Sequence, residues 1–292
     1  MLKKFFVLAI ICMTIFFTAN DACAEPEWFW LDSNDKYSKY FEPASVAIKK
    51  KVVTDEGREI AIEIEAWTKT TYSYEGAAET IKNYGIANIL PDPRSLSYSL
   101  ALLRVNPQNR TLQYVREDFY NADHQVVWSK EEGRVKEINA RSFDEEFYCA
   151  IVDEVFQLGE RDRKRAPTEE RWLDLWTYTD NDGSTINLTA DTTTMRLKGT
   201  NLILWEWQVK KDSHGQTIEI RFMKKAVNLT QGTEVIKEGQ IWTPTNSWQQ
   251  LQDEYDGAYR MIRSDEPDYK GLVRLRAYAK NNPRWVSRYS LN

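Results

Sequence analysis

The chain has 292 residues, with 39 Lys and Arg against 44 Asp and Glu, and a formal net charge of −5. An acidic chain without a basic stripe is a poor nucleic-acid binder, because neutralisation of phosphates drives that binding. Only two histidines occur, His124 and His214, and no G-x-S-x-G, H-E-x-x-H or P-loop motif is present. A His-based triad or a His-rich metal site is therefore not expected.

Residues 1–24 read as a secretory signal. Lys3 and Lys4 form a basic start, Phe5 to Phe17 an apolar run, and Ala22-Cys23-Ala24 a small-x-small cleavage site, so the mature chain starts at Glu25. A lipid-anchor reading of Cys23 is disfavoured by Asn20-Asp21-Ala22, which lacks the aliphatic residue such a site wants. No later stretch is long and apolar enough for a membrane helix, so the expected location is periplasmic or at the cell surface.

Trp28 to Leu31 opens the mature protein as a strand, and Tyr37 to Ser45 continues in strand fashion. Ile60, Ile62, Ile64 and Ala66 alternate with Ala61, Glu63, Glu65 and Trp67, the period of a half-buried strand. A helix follows, with Ser73 as its cap and Gly85 as its stop; Pro91 and Pro93 bound the exit loop. Leu96 to Leu102 and Thr111 to Tyr120 are strands. Asn121 to His124 turns the latter into Gln125–Lys130. Ser142 and Glu145 then match an S-x-x-E capping box, opening a helix that ends before Gly159. Arg161 to Pro167 is charged and poor in apolar residues, as in a linker.

The same strand, polar turn and capped helix recur in shorter form at Ile241–Ile262, where Ser247 and Gln250 match the box. Trp172 to Tyr178, Asn201 to Val209, Ile218 to Phe222 and Thr233 to Trp242 are strands leading to it. The expected helix over 248–262 places Trp248, Leu251, Tyr255, Tyr259 and Ile262 on one face. The expected architecture is α+β: two tandem modules, each a twisted antiparallel sheet packed by a C-terminal helix. Its parts are a signal peptide (1–24), a first module (25–159), a linker (160–168), a second module (169–264) and a helical tail (265–292) without counterpart in the first module.

Residues with chemical potential have ordinary readings beside sharper ones. Asp180-Asn181-Asp182-Gly183-Ser184 resembles part of a calcium loop but lacks a distal Glu in register, and reads as a hairpin turn. Asp144, Glu145, Glu146, Asp153 and Glu154 crowd one helix; paired acids could serve a glycosidase, while a solvated face near a helix N-terminus explains them without catalysis. Cys149 is the one cysteine beyond the signal, so no intrachain disulfide is available to the mature chain, and an intermolecular bridge would make a dimer. Its expected place is a carboxylate-rich flank with Glu146 and Asp153. Trp205 and Trp207, aligned with Ile203 and Val209, read as a core face, although an exposed row could stack on sugar rings. Three N-x-T triplets, at Asn109, Asn187 and Asn228, arise readily by chance. No catalytic, cofactor or metal residue is assigned.

Trp30, Asp35, Tyr40 and Ser45, then Arg104, Tyr120-Asn121-Ala122-Asp123, Trp128 and the Ser142–Phe156 helix together form a pattern. It resembles the surface-adhesin protein E family of small bacterial envelope proteins, with the second half as a looser copy. The resemblance implies a twisted antiparallel sheet with a packed helix, an envelope or binding role and no catalytic residues. It also implies a strand-to-helix disulfide, for which Leu102 and Leu103 stand where the strand cysteine would be. The expected function is an exported, non-enzymatic binding or adhesion protein whose partner is a protein, such as host matrix, or a glycan. The alternatives are a carbohydrate-binding or carbohydrate-active protein using Trp and carboxylates, and a structural component of an envelope complex.

Overall fold

The computed structural model describes residues 26–157, 171–252 and 257–291. The signal peptide and the 160–168 linker lie outside these residues. Each half of the chain forms one eight-stranded antiparallel sheet, so the protein is richer in sheet than the α+β expectation suggests. The first sheet holds β1 (Phe29–Ser33), β2 (Tyr37–Phe41), β3 (Ala47–Val53), β4 (Glu59–Tyr72), β5 (Tyr98–Asn106), β6 (Thr111–Tyr120), β7 (Val126–Glu131) and β8 (Lys136–Glu137). The second holds β9 (Trp172–Thr179), β10 (Thr185–Asp191), β11 (Arg196–Lys198), β12 (Asn201–Lys211), β13 (Thr217–Asn228), β14 (Thr233–Trp242), β15 (Gln249–Gln250) and β16 (Arg260–Met261).

The two sheets repeat one topology. The order β1-β2-β4-β5-β6-β7 recurs as β9-β10-β12-β13-β14-β15. Short β3 and β11 attach to β4 and β12, and β8 and β16 attach to β6 and β14. Between β4 and β5 the first half carries helix α1 (Tyr74–Tyr84), where the second has a tight turn at 212–216. Helix α1 begins and ends as its sequence dictates: Ser73 Oγ accepts from Gly76 N, and Gly85 adopts φ 67° at the C-cap.

The helix expected over 248–262 is not formed. Its described residues contain β15 and β16 instead. The helix that follows the second sheet is α3 (Pro267–Asn281), which occupies the place of α2 (Glu145–Phe156) in the repeat. The supposed tail is therefore the closing helix of the second module. Leu272 and Leu275 are buried with Leu175, Leu188, Leu202 and Leu204. A short helix α4 (Pro283–Val286) follows.

The capping box at Ser142 is also absent. Helix α2 starts two residues later, with Asp144 at its N-cap and no side-chain bond there. Ser142 Oγ instead accepts from Asn139 N at 2.9 Å, closing the preceding turn. Helix α2 lays Phe147, Tyr148 and Ile151 on a core of Ile64, Ala66, Leu103, Val105 and Leu112. Tyr289, from the far end of the chain, completes this first core, its ring 5.1 Å from Phe156 at 71°.

Candidate functional site

The second module carries a cleft of about 810 Å³ on the face of its sheet. Its origin lies in where the closing helix sits. Helix α2 packs over β1, β2, β4 and β5, near the middle of its sheet, whereas α3 packs along the edge strand β9. Side chains alternate between the faces of a strand. On the face of β12 turned to α3, Leu202 and Leu204 are covered, while Glu206 and Gln208 continue beyond the helix. The half of this face that α3 leaves uncovered is polar: Arg221 and buried Lys225 on β13, buried Glu234 on β14, with Gln249 on β15 at the rim. Met223, Ile236, Ile241 and Leu251 supply apolar wall, and Trp176, Glu266 and Asp268 close the end next to α3.

The floor is held by an alternating ladder of charges. Lys225 Nζ lies 3.0 Å from Glu206 Oε2 and donates to Glu234 Oε2 at 3.2 Å. Arg260 pairs with Glu234, and also with Glu266 at 2.7 Å and Asp268 at 2.5 Å. Trp176 Nε1 donates to Asp268 Oδ1 at 3.1 Å, tying the β9 edge to the helix start. Burial pushes the Glu206 carboxyl up to about 7, against the pull of Lys225. Burial disfavours charge on Lys225 and Arg260, but the surrounding carboxylates outweigh it and both pKa values are raised. Those carboxylates are thus bound to cations of the protein itself. A glycosidase needs one carboxyl free to protonate a leaving group and another facing the sugar or a water; here Glu234, Glu266 and Asp268 are each engaged by Arg260.

Of the acids of helix α2, Glu154 is exposed and Glu146 partly so, as a solvated face predicts, but Asp144, Glu145 and Asp153 are buried. Asp144 is buried, accepts from Tyr114 OH at 2.6 Å and pairs with Lys136. Asp153 is buried, and Glu146 pairs with Lys39 at 2.7 Å. Glu145 is the centre of the junction between the modules. It accepts from Arg110 Nη2 at 2.8 Å and from Arg171 at 2.8 and 3.1 Å. Arg171 bridges on to Asp191 at 2.6 Å, and Arg110 Nη1 donates to Thr193 O at 3.1 Å. Cys149 is half-buried against the first core and lines a small recess with Arg110, Arg171 and Arg288. The expected carboxylate flank is in fact an arginine-lined one, and there is no disulfide among the described residues.

Of the tryptophans of β12, Trp205 is buried as expected and Trp207 half-buried, but neither belongs to the second core. Trp205 and Trp207 point away from the second core, on the face opposite the cleft. Trp205 is buried there by stacking on Phe222 at 4.5 Å and by Nε1 donation to Glu137 of the first module at 3.3 Å. Trp172, Trp207 and Trp248 form a row with centroid spacings of 6.4 and 5.8 Å, and Arg141 lies 3.7 Å from the Trp248 centroid. Successive rings are tilted by 59° and 54°. They pack on one another and offer no flat platform for sugars.

His124 and His214 lie in hairpin turns of different modules, and Asp180–Ser184 is a turn with Gly183 at φ 83°. Among the described residues no group of three His, Cys, Asp or Glu side chains could hold a metal ion, and no helix is long and apolar enough to cross a membrane. A second carboxyl with an unusual pKa, Glu117, lies under α1 in the first module. Burial raises it to about 7, while hydrogen bonds from Tyr84 at 2.5 Å and Ser99 at 3.1 Å pull it down. No family model, curated protein or solved structure matches this chain.

The cleft was hidden from sequence reasoning because it depends on where α3 packs. One signal was present: β12 changes from apolar Leu202 and Leu204 to polar Glu206 and Gln208 at every second residue, which marks where the covering element stops.

Proposed function

We propose that this chain is an exported, non-enzymatic binding protein of the bacterial cell envelope, related to surface-adhesin protein E, that holds its ligand in the cleft of the second module. The observation that carries this reading is the pairing of Glu206, Glu234, Glu266 and Asp268 with Lys225 and Arg260. Such a site is built to be rigid, and rigid pre-formed recesses of several hundred Å³ are the usual form of ligand sites. The basic and apolar start of the chain, with Ala22-Cys23-Ala24, supports export. The first module, with its helix central on the sheet, acts as the rigid partner.

The test is a binding screen of the mature chain against purified host matrix proteins, envelope extract and glycans, repeated with Arg221→Glu. Arg221 lines the cleft and is partly exposed, so the exchange alters the site and leaves the core intact. Saturable binding that Arg221→Glu weakens at least tenfold is expected. Binding unaffected by the exchange, or none at all, refutes the assignment. Mass spectrometry of the exported protein should give Glu25 as its first residue.

A further inference from the structure

The chemistry left open in the cleft points to the class of its ligand; this inference rests on the binding reading above. The charges of the floor are occupied. Lys225 contacts Glu206 and Glu234, Arg260 contacts Glu234, Glu266 and Asp268, and Arg221 is paired with Glu219 at 2.7 Å. A charged ligand would compete with these pairs, and breaking a buried one such as Lys225–Glu206 is costly.

Among the described residues, what remains unengaged is a set of carboxamides. Gln208, Gln249 and Gln252 line the cleft. The strand register pairs Gln249 with Ile241 on the cleft face, at the rim, whereas Gln250, opposite Gln240, turns to the other face. Gln208 enters from β12, two residues beyond Glu206 on the same face. A carboxamide offers two donors and an acceptor with two lone pairs. A ligand hydroxyl is likewise both donor and acceptor, so an amide can satisfy it in either sense. Ile236, Ile241 and Leu251 add apolar surface between these amides, which suits the C–H faces of a sugar ring. A peptide presents donors and acceptors too, but it gains most from adding a strand to a sheet edge. The cleft lies on a sheet face, and the nearest edge strand, β15, is only two residues long.

We infer that the cleft of the second module binds a neutral, hydroxyl-rich ligand, a carbohydrate without ionised groups, through the carboxamides of Gln208 and Gln249.

The test is a glycan array probed with the mature chain, followed by calorimetric titration of the best neutral and best acidic oligosaccharides and of polylysine, at 50 mM and 500 mM NaCl. A neutral oligosaccharide should bind, with less than a twofold change in Kd between the two salts, because no unmatched charge takes part. Gln208→Ala/Gln249→Ala should weaken it at least tenfold while leaving the thermal midpoint unchanged. Trp30→Ala, exposed on the first module, should bind like the parent. The inference is overturned if no neutral glycan binds, if the preferred ligand is charged and lost at high salt, or if the double exchange leaves the affinity unchanged. If a matrix or envelope protein binds through Arg221 while no glycan does, only the ligand class falls. If nothing binds, both readings fall together.

Discussion

Replacing Glu145 by glutamine tests whether the two modules are locked by buried charge. The Glu145 side chain is 9% exposed, and the two guanidiniums on it, Arg110 and Arg171, are 5% and 8% exposed. The amide would keep the shape and one acceptor but remove the negative charge. Arg171 would retain Asp191. Arg110 would retain only the carbonyls of Ile138 and Thr193, with no carboxylate in contact. Removing one partner of a buried ion pair costs about 3–5 kcal/mol. The surviving acceptor and Asp191 place this case near the lower end, about 3 kcal/mol. For a chain of this size that corresponds to a fall in Tm of roughly 6–12 °C. Urea unfolding followed by tryptophan fluorescence and by circular dichroism would measure it. Because Arg110 and Glu145 belong to the first module and Arg171 and Asp191 to the second, both halves should shift. A loss under about 1 kcal/mol, the scale of a surface pair, would refute the reasoning.

Glu117 predicts a pH dependence. Its carboxyl titrates near 7 when folded against 4.5 as the ordinary value, so the folded chain binds the proton more tightly. Its contribution is complete below pH 4.5, falls as pH rises to 7, and then levels off, a loss of about 3 kcal/mol. Glu117→Gln should flatten that part of the curve in urea titrations from about pH 4.5 to 8; an unchanged slope contradicts the assignment. Gly76→Ala should destabilise α1, since a Cβ there would stand 2.1 Å from Lys36 O, a backbone atom. A cost of about 1–3 kcal/mol is expected, with faster amide exchange over residues 74–84; parent-like exchange would show that the helix shifts without cost. Tyr289→Ala should cost about 3–5 kcal/mol, as for other large buried aromatics; a loss confined to the second module would mean that Tyr289 is not part of the first core.

The strands were the most legible part of the chain. Alternation over Ile60–Trp67 is a local property, and the structure has a strand there, as it has at Thr111–Tyr120 and Thr233–Trp242. The α1 boundaries were legible for the same reason, since Ser73 and Gly85 act within one turn. Misreadings arose where a local pattern served a distant partner. Glu145 matches a capping box, yet its carboxylate is taken by Arg110 and Arg171, 35 and 26 residues away in sequence. Trp248, Leu251 and Tyr259 have helical spacing, but this stretch supplies a rim strand and an aromatic contact instead. The helix expected in 265–292 is present as α3, but its role as the closing helix of the second module was not legible, nor was the purpose of Arg274 and Arg276 on it. Those arginines are explained by the fold: Arg274 donates to Asp174 O and Arg276 to Leu229 O. The topology repeat survives these errors because it rests on strand order, which outlasts the side chains that fill it.

The insertion of Tyr289 into the first core has a consequence for the order of folding. The first module's strands and α2 all precede residue 157, so most of its sheet can form while the rest of the chain is still being made or exported. Its core nevertheless stays incomplete until a residue from the end of the second module arrives. Arg288, beside it, donates to Thr193 O and Met195 O of the second module, so the same short segment bridges both halves. In the folded chain this segment is a clasp. A chain clipped before it would expose apolar surface in its first half, and that surface is what a chaperone or protease would meet.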